Sequence, residues 1–307
     1  MLANRLSADP RNSVLLLEAG GKDDWMWIHI PVGYLYCIGN QRTDWCYKTE
    51  AESGLNGRVI NYPRGRVIGG SSSINAMLYL RGQARDYDEW AQVTGDSGWA
   101  WRNVLPIFMK SEDHWRGADE KHGQGGELRV ERIKLRWDIL EAFADAAAET
   151  GIPRTEDFNR GDNEGVGRFD VTQRNGVRWS AAKAFLRPAM KRPNLTVISG
   201  ALVKKLRLEG RRVLGVDLGR KEQAGEIVLS PRFPLRKLVV FSQTEGRRKL
   251  SRLSDVDVAG SKVEREDYFP DMVAAASGGR SAAMVALMSR GLKLIVSNKN
   301  PPTLRRC

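Results

Sequence analysis

The densest run of residues able to do chemistry lies at positions 65–82, which read GRVIGGSSSINAMLYLRG. Glycine pairs let backbone approach a ligand with no Cβ in the way. Serines ahead of a helix leave hydroxyls and unpaired N–H groups facing any anion bound there. This is the chemistry of a phosphate or pyrophosphate cradle, and a flexible glycine–serine turn capping a helix uses the same residues. Both readings stand at this point. Three histidines, His29, His114 and His122, are the only imidazoles, so a multi-histidine metal site would need nearly all of them, and the usual ligand spacings are absent. Cys37, Cys46 and Cys307 are odd in number and form no CxxC pair, which argues against a disulfide framework.

Several elements must position these groups. Residues 2–6 have helical spacing that stops at Asp9-Pro10. Residues 13–17 form an apolar run that ends at Glu18 and opens into Ala19-Gly20-Gly21, the order of strand, acid and glycine turn. An aromatic loop over 25–47 follows, and Asn56-Gly57 suits a tight hairpin turn. The glycine–serine segment leads into an apolar, helix-capable stretch. Residues 137–150 place Ile139, Leu140, Phe143, Ala144 and Ala147 on one helical face, with Gly151 and Pro153 as terminators. A strand-like stretch covers 169–173, and Ser180 caps a helix that should stop before Pro188. Residues 195–198, 202–208 and 213–218 read as a small antiparallel meander, followed by a strand at 226–229. The fold class is α/β or α+β, with a nucleotide-binding domain interrupted by an insertion.

With 307 residues, 41% hydrophobic and 28% charged, the composition is that of a globular protein and puts fibrous or wholly disordered classes far behind. No stretch of ~18 apolar residues could span a bilayer. The first ten residues lack a charged-then-apolar leader, so a cytoplasmic location, with peripheral membrane association as an option, is the expectation. The net charge of +12 raises the question of a polyanionic partner. Residues 1–230 account for +4 of it and residues 231–307 for +8.

Taken together, these segments resemble the glucose-methanol-choline (GMC) oxidoreductases, FAD-dependent enzymes that oxidise alcohols. The likeness runs from about Leu2 to Ser230 and is nearest in style to the choline and bacterial alcohol dehydrogenases. It rests on residues 65–77 with Tyr79-Leu80-Arg81-Gly82 and Tyr87-Asp88-Glu89-Trp90, on residues 14–21, on residues 179–186 and on residues 192–197. The resemblance implies a partial FAD/NAD(P)-binding Rossmann-like domain with an inserted substrate-domain segment of antiparallel strands and helices. It implies that Glu18 accepts hydrogen bonds from the adenosine ribose and that Val203 meets the adenine end through its backbone. Arg66, Val67, Gly69, Gly70, Ser71, Asn75, Ala76, Met77 and Leu78 fall to the flavin and its tail. FAD is expected to be non-covalent, because the region 61–70 has no histidine for the family's covalent link. His122 reads as structural.

The implied domain plan is 1–120 as a partial FAD-binding domain lacking the first strand and its GxGxxG loop, 121–190 as a substrate-domain segment, 191–230 as the return to the first domain, and 231–307 as a basic tail outside the family. No histidine follows His122, so the catalytic base the family places in its C-terminal part is not seen, no catalytic residue is assigned, and an inactive fragment is expected. None of the nine tryptophans lies after Ser230 and glycine falls to five in 77 residues there, a change of character that a reading-frame shift would produce. Translating the DNA in the other two frames beyond codon 230 checks this. Three readings remain open: an FAD-dependent alcohol oxidoreductase acting on a small alcohol with an unassigned electron acceptor, a non-catalytic or unstable remnant of one, and a basic nucleic-acid-binding protein. Salt-sensitive retention on DNA would be needed for the last.

Overall fold

Val14–Glu18 is an unbroken apolar run closed by one acid, and all five residues are buried. A strand with both faces covered belongs inside a parallel sheet. The computed structural model describes residues 1–134, 136–161, 163–210, 212–219, 225–228, 237–241 and 304–305. Their packing divides them into two units, one of Met1–Gly21 with the described residues from Ala189 onward, the other of Lys22–Pro188. Helices and strands are mixed throughout, the α/β character expected.

In the first unit Val14–Glu18 is the centre of a three-stranded parallel sheet, flanked by Leu195–Ser199 and Lys237–Phe241, with Leu16 opposite Val197 on one side and Val239 on the other. The stretch 195–198 therefore does not belong to the antiparallel meander. Gly200, at φ +69°, turns the chain, and Gly200 and Ala201 N–H donate to the carbonyls of Gly20 and Glu18. That turn separates the parallel strand from the meander. The meander consists of Leu202–Glu209, Arg212–Gly219 and Gly225–Val228, with Leu304–Arg305 on its edge. Leu15 and Leu17 pack with Ala201, Val203 and Val216 to form the core. Apart from 237–241 and 304–305, the basic tail 231–307 lies outside the described residues.

The helix Leu2–Ser7 is tied down by polar side chains from the other end of the unit. Arg192 Nη1 donates to the Asn4 carbonyl and Ser7 Oγ, while Asn194 Nδ2 lies within 3.0, 3.1 and 2.9 Å of the carbonyls of Ser7, Asp9 and Asn12. Removing one amide orphans several acceptors at once. Asn194→Ala is expected to cost about 1–3 kcal/mol, read as a lower urea midpoint at unchanged m-value.

The second unit is built from short strands and three longer helices. Tyr47–Lys48 pairs with Asn61–Tyr62, and between them Asn56 and Gly57 both take positive φ, as the hairpin reading required. Glu112–His114 runs parallel to Leu128–Arg132, which pairs antiparallel with Asp170–Val171. The helix Asp138–Glu149 forms where its spacing placed it, yet Ile139, Leu140 and Phe143 are exposed and only Ala144 is buried. Two further expectations are corrected. No α-helix follows the glycine–serine segment: Gly70–Ser73 is one 3-10 turn, and the chain is non-helical until Ala84. Asn75 Oδ1 accepts from Met77 N–H and Met77 sits at φ +65°, a side-chain-to-backbone turn that competes with helix. The helix after Ser180 does not stop before Pro188. A π-helical turn, Ala182–Leu186, runs without a break into Arg187–Ala189, and Pro188 falls in the last turn of that continuous stretch, just past the π-helical residues.

Candidate functional site

The loop 65–78 is held by its own polar groups. Gly65 N–H donates to Ser71 Oγ (3.1 Å), Ser72 Oγ donates to the Gly69 carbonyl (2.6 Å) and accepts from Ala181 N–H (2.9 Å), and Ser73 Oγ donates to the Ile68 carbonyl (2.8 Å). The Ser72 and Ser73 hydroxyls are therefore spent on bracing the loop, Ser71 Oγ accepts from it while its residue stays exposed, and the short 3-10 turn is no helix N-terminus of the kind that binds phosphate. Gly69 is at φ +93°, and a Cβ there would meet Ser73 Oγ. Arg66 stacks over Trp45 at 5.0 Å, its N–H bonded to the Thr43 carbonyl.

This bracing gives the loop two faces. Val67 and Ile74 turn inward to pack with Ile28 and Cys37. Met77 is buried, and its carbonyl accepts from Thr172 N–H at 2.9 Å. Ser71, Asn75, Ala76 and Leu78 are exposed, Leu80 continues the exposed edge, and the Ala76 N–H makes no hydrogen bond among the described residues. An apolar face carrying a spare donor suits a flat heteroaromatic ring. Of the flavin-side residues taken from sequence, Arg66, Val67, Gly69, Gly70, Ser71, Asn75, Ala76, Met77 and Leu78 all belong to this one loop.

Beneath it lies a residue the sequence reading passed over. Arg178 is wholly buried and ties the loop to its surroundings: Nε donates to the Ile28 carbonyl (2.7 Å), and Nη1 to Asn75 Oδ1 (2.8 Å) and the Ser72 carbonyl (3.2 Å). Nη2 has no partner. Burial pulls this guanidinium down to about 10, so it stays charged at neutral pH. The run Arg178-Trp179-Ser180 was visible in sequence, but nothing local marks an arginine as buried.

In the first unit Glu18 ends the central strand. It is 9% exposed, with Oε1 accepting from Gly20 N–H at 2.7 Å. Val203 puts its side chain into the core with Leu15 and Leu17, which leaves only its backbone for any ligand contact.

A second polar cluster in Lys22–Pro188 is buried. His122 Nδ1 lies 3.1 Å from Glu112 Oε1 and Nε2 lies 2.7 Å from Asp157 Oδ2, with the ring stacked on His114 at 3.9 Å. Arg81 Nη2 donates to Glu112 Oε2 (2.8 Å), and His114 Nε2 meets Asp170 Oδ2 (3.1 Å). Burial opposes a charge on His122, but the hydrogen bonds to Asp157 and Glu112 outweigh it and raise the imidazole to about 9. Burial likewise pushes Glu112 and Asp157 up, but the His122 hydrogen bond to each, added to the Arg81 charge and Gly123 N–H at Glu112 and to the Asn159 N–H and the His122 charge at Asp157, holds both below their ordinary values. Two cations thus face two carboxylates. Glu112, His114 and His122 are close enough to share an ion, but both ring nitrogens of His122 are already committed to carboxylates, so the cluster serves as a self-satisfied brace. It anchors the chain leaving the loop, because Arg81 N–H donates to Asn159 Oδ1 and Tyr79 N–H to the Asp170 carbonyl.

The comparisons with known proteins agree with this geometry. The GMC oxidoreductase family profile matches residues 16–242, twelve residues beyond Ser230, and so takes in the strand Lys237–Phe241. The mitochondrial choline dehydrogenase of Homo sapiens is 44% identical over 232 residues, 73% of this chain and 39% of that protein. The alcohol dehydrogenase [acceptor] of Pseudomonas putida is 40% identical over 239 residues, 75% of this chain and 43% of that protein. Among solved structures, pyridoxine 4-oxidase from Mesorbium loti superposes with a TM-score of 0.71 at 37% identity, over 78% of this chain and 46% of that one. The chain spans less than half the length of these relatives. A profile match across most of the sequence, together with the parallel sheet and the braced glycine–serine loop, places the chain in the GMC oxidoreductase family.

Proposed function

We propose that the chain is the flavin-binding part of an enzyme that oxidises the CH–OH group of a small alcohol, choline or another primary alcohol, to the aldehyde by hydride transfer to FAD, and that these 307 residues are by themselves an inactive fragment of it. The observation that carries this is the exposed face of the loop 65–78 within the family match: a spare Ala76 N–H beside apolar Leu78 and Leu80 fits an isoalloxazine ring. FAD, when bound, supplies a two-electron acceptor for the hydride leaving the alcohol carbon, and the hydroxyl proton goes to a base. Arg66, Val67, Gly69, Gly70, Ser71 and Asn75 to Leu78 are assigned to the flavin and its tail, and Glu18 and Val203 to the adenosine. The assignment of 1–120 and 191–230 to the flavin domain and of 121–190 to the substrate domain belongs to the same proposal. Non-covalent attachment is supported by the lack of histidine in 61–70 and by the burial of His114 and His122.

Neither of those two histidines is placed to act as the base, since each is fully enclosed and bonded to a carboxylate. The purified 307-residue chain, incubated with FAD and passed over a desalting column, is expected to retain a flavin spectrum that denaturant releases completely. Anaerobic choline or benzyl alcohol should not bleach it. A chain that keeps no flavin overturns the cofactor assignment, and flavin that stays on the denatured chain overturns non-covalent binding. Among the described residues no helix is long and apolar enough to cross a membrane.

A further inference from the structure

Arg178 is a full positive charge with no carboxylate beside it among the described residues. Its three bonded acceptors, the Ile28 and Ser72 carbonyls and Asn75 Oδ1, are neutral, and Nη2 has none among the described residues. The acidic group in its electrostatic reach is Cys37, which is wholly buried; burial pushes that thiol up against the opposing pull of Arg178, so it stays neutral. A guanidinium enclosed without a counter-ion is costly, and truncation of its partners does not relieve it. By contrast, the other enclosed arginine, Arg81, is matched to Glu112. Of the three bonded partners Asn75 is the exposed one: Nη1 is 2.8 Å from Asn75 Oδ1, and Asn75 lies on the open face of the loop. In a low-dielectric interior the field of such a charge extends well beyond one side chain.

We infer that Arg178 is an electrostatic positioning residue for whatever anionic form occupies the loop 71–78: it fixes Ser72 and Asn75 and holds the missing half of an ion pair that the ligand completes. This rests on the flavin reading of the loop. Hydride transfer from the alcohol carbon delivers two electrons and one proton, so reduced flavin carries one negative charge more than oxidised flavin unless a further proton is added. The charge of Arg178 favours that reduced form, and the Asn75 and Ser72 contacts hold the loop for either form.

The test uses the full 307-residue chain loaded with FAD, measuring the dissociation constant and the midpoint potential by dye equilibration. Arg178→Lys keeps the charge and loses the fork of hydrogen bonds: FAD binding is expected to weaken about tenfold with the potential near that of the parent. Arg178→Gln loses the charge: reduced flavin is expected to lose at least tenfold more affinity than oxidised flavin, a fall of about 30 mV for a two-electron couple. A potential unmoved in Arg178→Gln overturns the inference, as does an equal fall in both variants, which marks Arg178 as a loop brace alone. Should Arg178→Gln fail to fold, Asn75→Asp neutralises the guanidinium in place and is expected to give the same fall; an unchanged potential there overturns the inference equally. A parent chain that binds no FAD instead defeats the flavin reading itself, and is told apart because it fails before any variant is compared.

Discussion

Glu112→Ala is expected to destabilise the unit Lys22–Pro188 by about 3–5 kcal/mol, the usual cost of removing one partner from an enclosed ion pair. Glu112 is fully buried and accepts from Arg81, His122 and the Gly123 N–H. Its loss leaves Arg81 and His122 enclosed with only Asp157 to balance them. The pH profile of the parent chain reports the same cluster. His122 is raised from 6.5 to about 9, so its stabilisation is complete below pH 6.5 and disappears as pH rises through about 9, a loss on the order of 3 kcal/mol. Glu112 and Asp157 are lowered from 4.5 and 3.8, so their contribution is present above those values and falls away as pH drops beneath them. Urea midpoints should therefore be highest near pH 5 to 6.5, and the alkaline decline should be shallower in Glu112→Ala. A parent midpoint that stays flat from pH 7 to 10 contradicts the assigned charge on His122.

Gly65→Ala is expected to disable the loop by steric means alone. Gly65 has ordinary backbone angles, yet a Cβ there would overlap the carbonyl carbon and oxygen of Gly70, and these are backbone atoms with no rotamer to yield. Overpacking of this kind costs about 1–3 kcal/mol, which in a unit of this size lowers the thermal midpoint by roughly 2–4 °C per kcal/mol. The local effect should exceed the global one, because the Gly65 N–H is also the donor to Ser71 Oγ. FAD affinity is expected to fall by more than tenfold even where the variant remains folded. Gly54→Ala is the matched control: nothing lies within 4 Å of its added Cβ and it should leave both readings unchanged. Equal behaviour of the two variants would show that the Gly65–Gly70 contact does not hold the loop.

Much of the local structure could be read directly from neighbouring residues. The strand at 14–18, the Asn56-Gly57 hairpin and the helix at 138–149 each follow from apolar periodicity or from one residue's tolerance of positive φ. The glycine–serine segment was equally visible as a place for chemistry. Its conformation was not, because the choice between helix and turn lay with Asn75 Oδ1, which bonds both Met77 N–H and Arg178 from 103 positions away. Likewise, the departure of 195–199 from the meander depended on the parallel edge offered by 14–18.

By itself, then, the sequence determined the order of elements, the family likeness and the loop that carries it, since these rest on short-range pattern. Only the tertiary structure decided what the polar residues do. The serine hydroxyls brace the loop, His122 is locked between Glu112 and Asp157, and Arg178 is enclosed without a counter-charge. The physical reason is that the state of a charged or hydrogen-bonding group is set by its solvent exposure and by partners brought from distant parts of the chain. Neither quantity is encoded in the spacing of its neighbours.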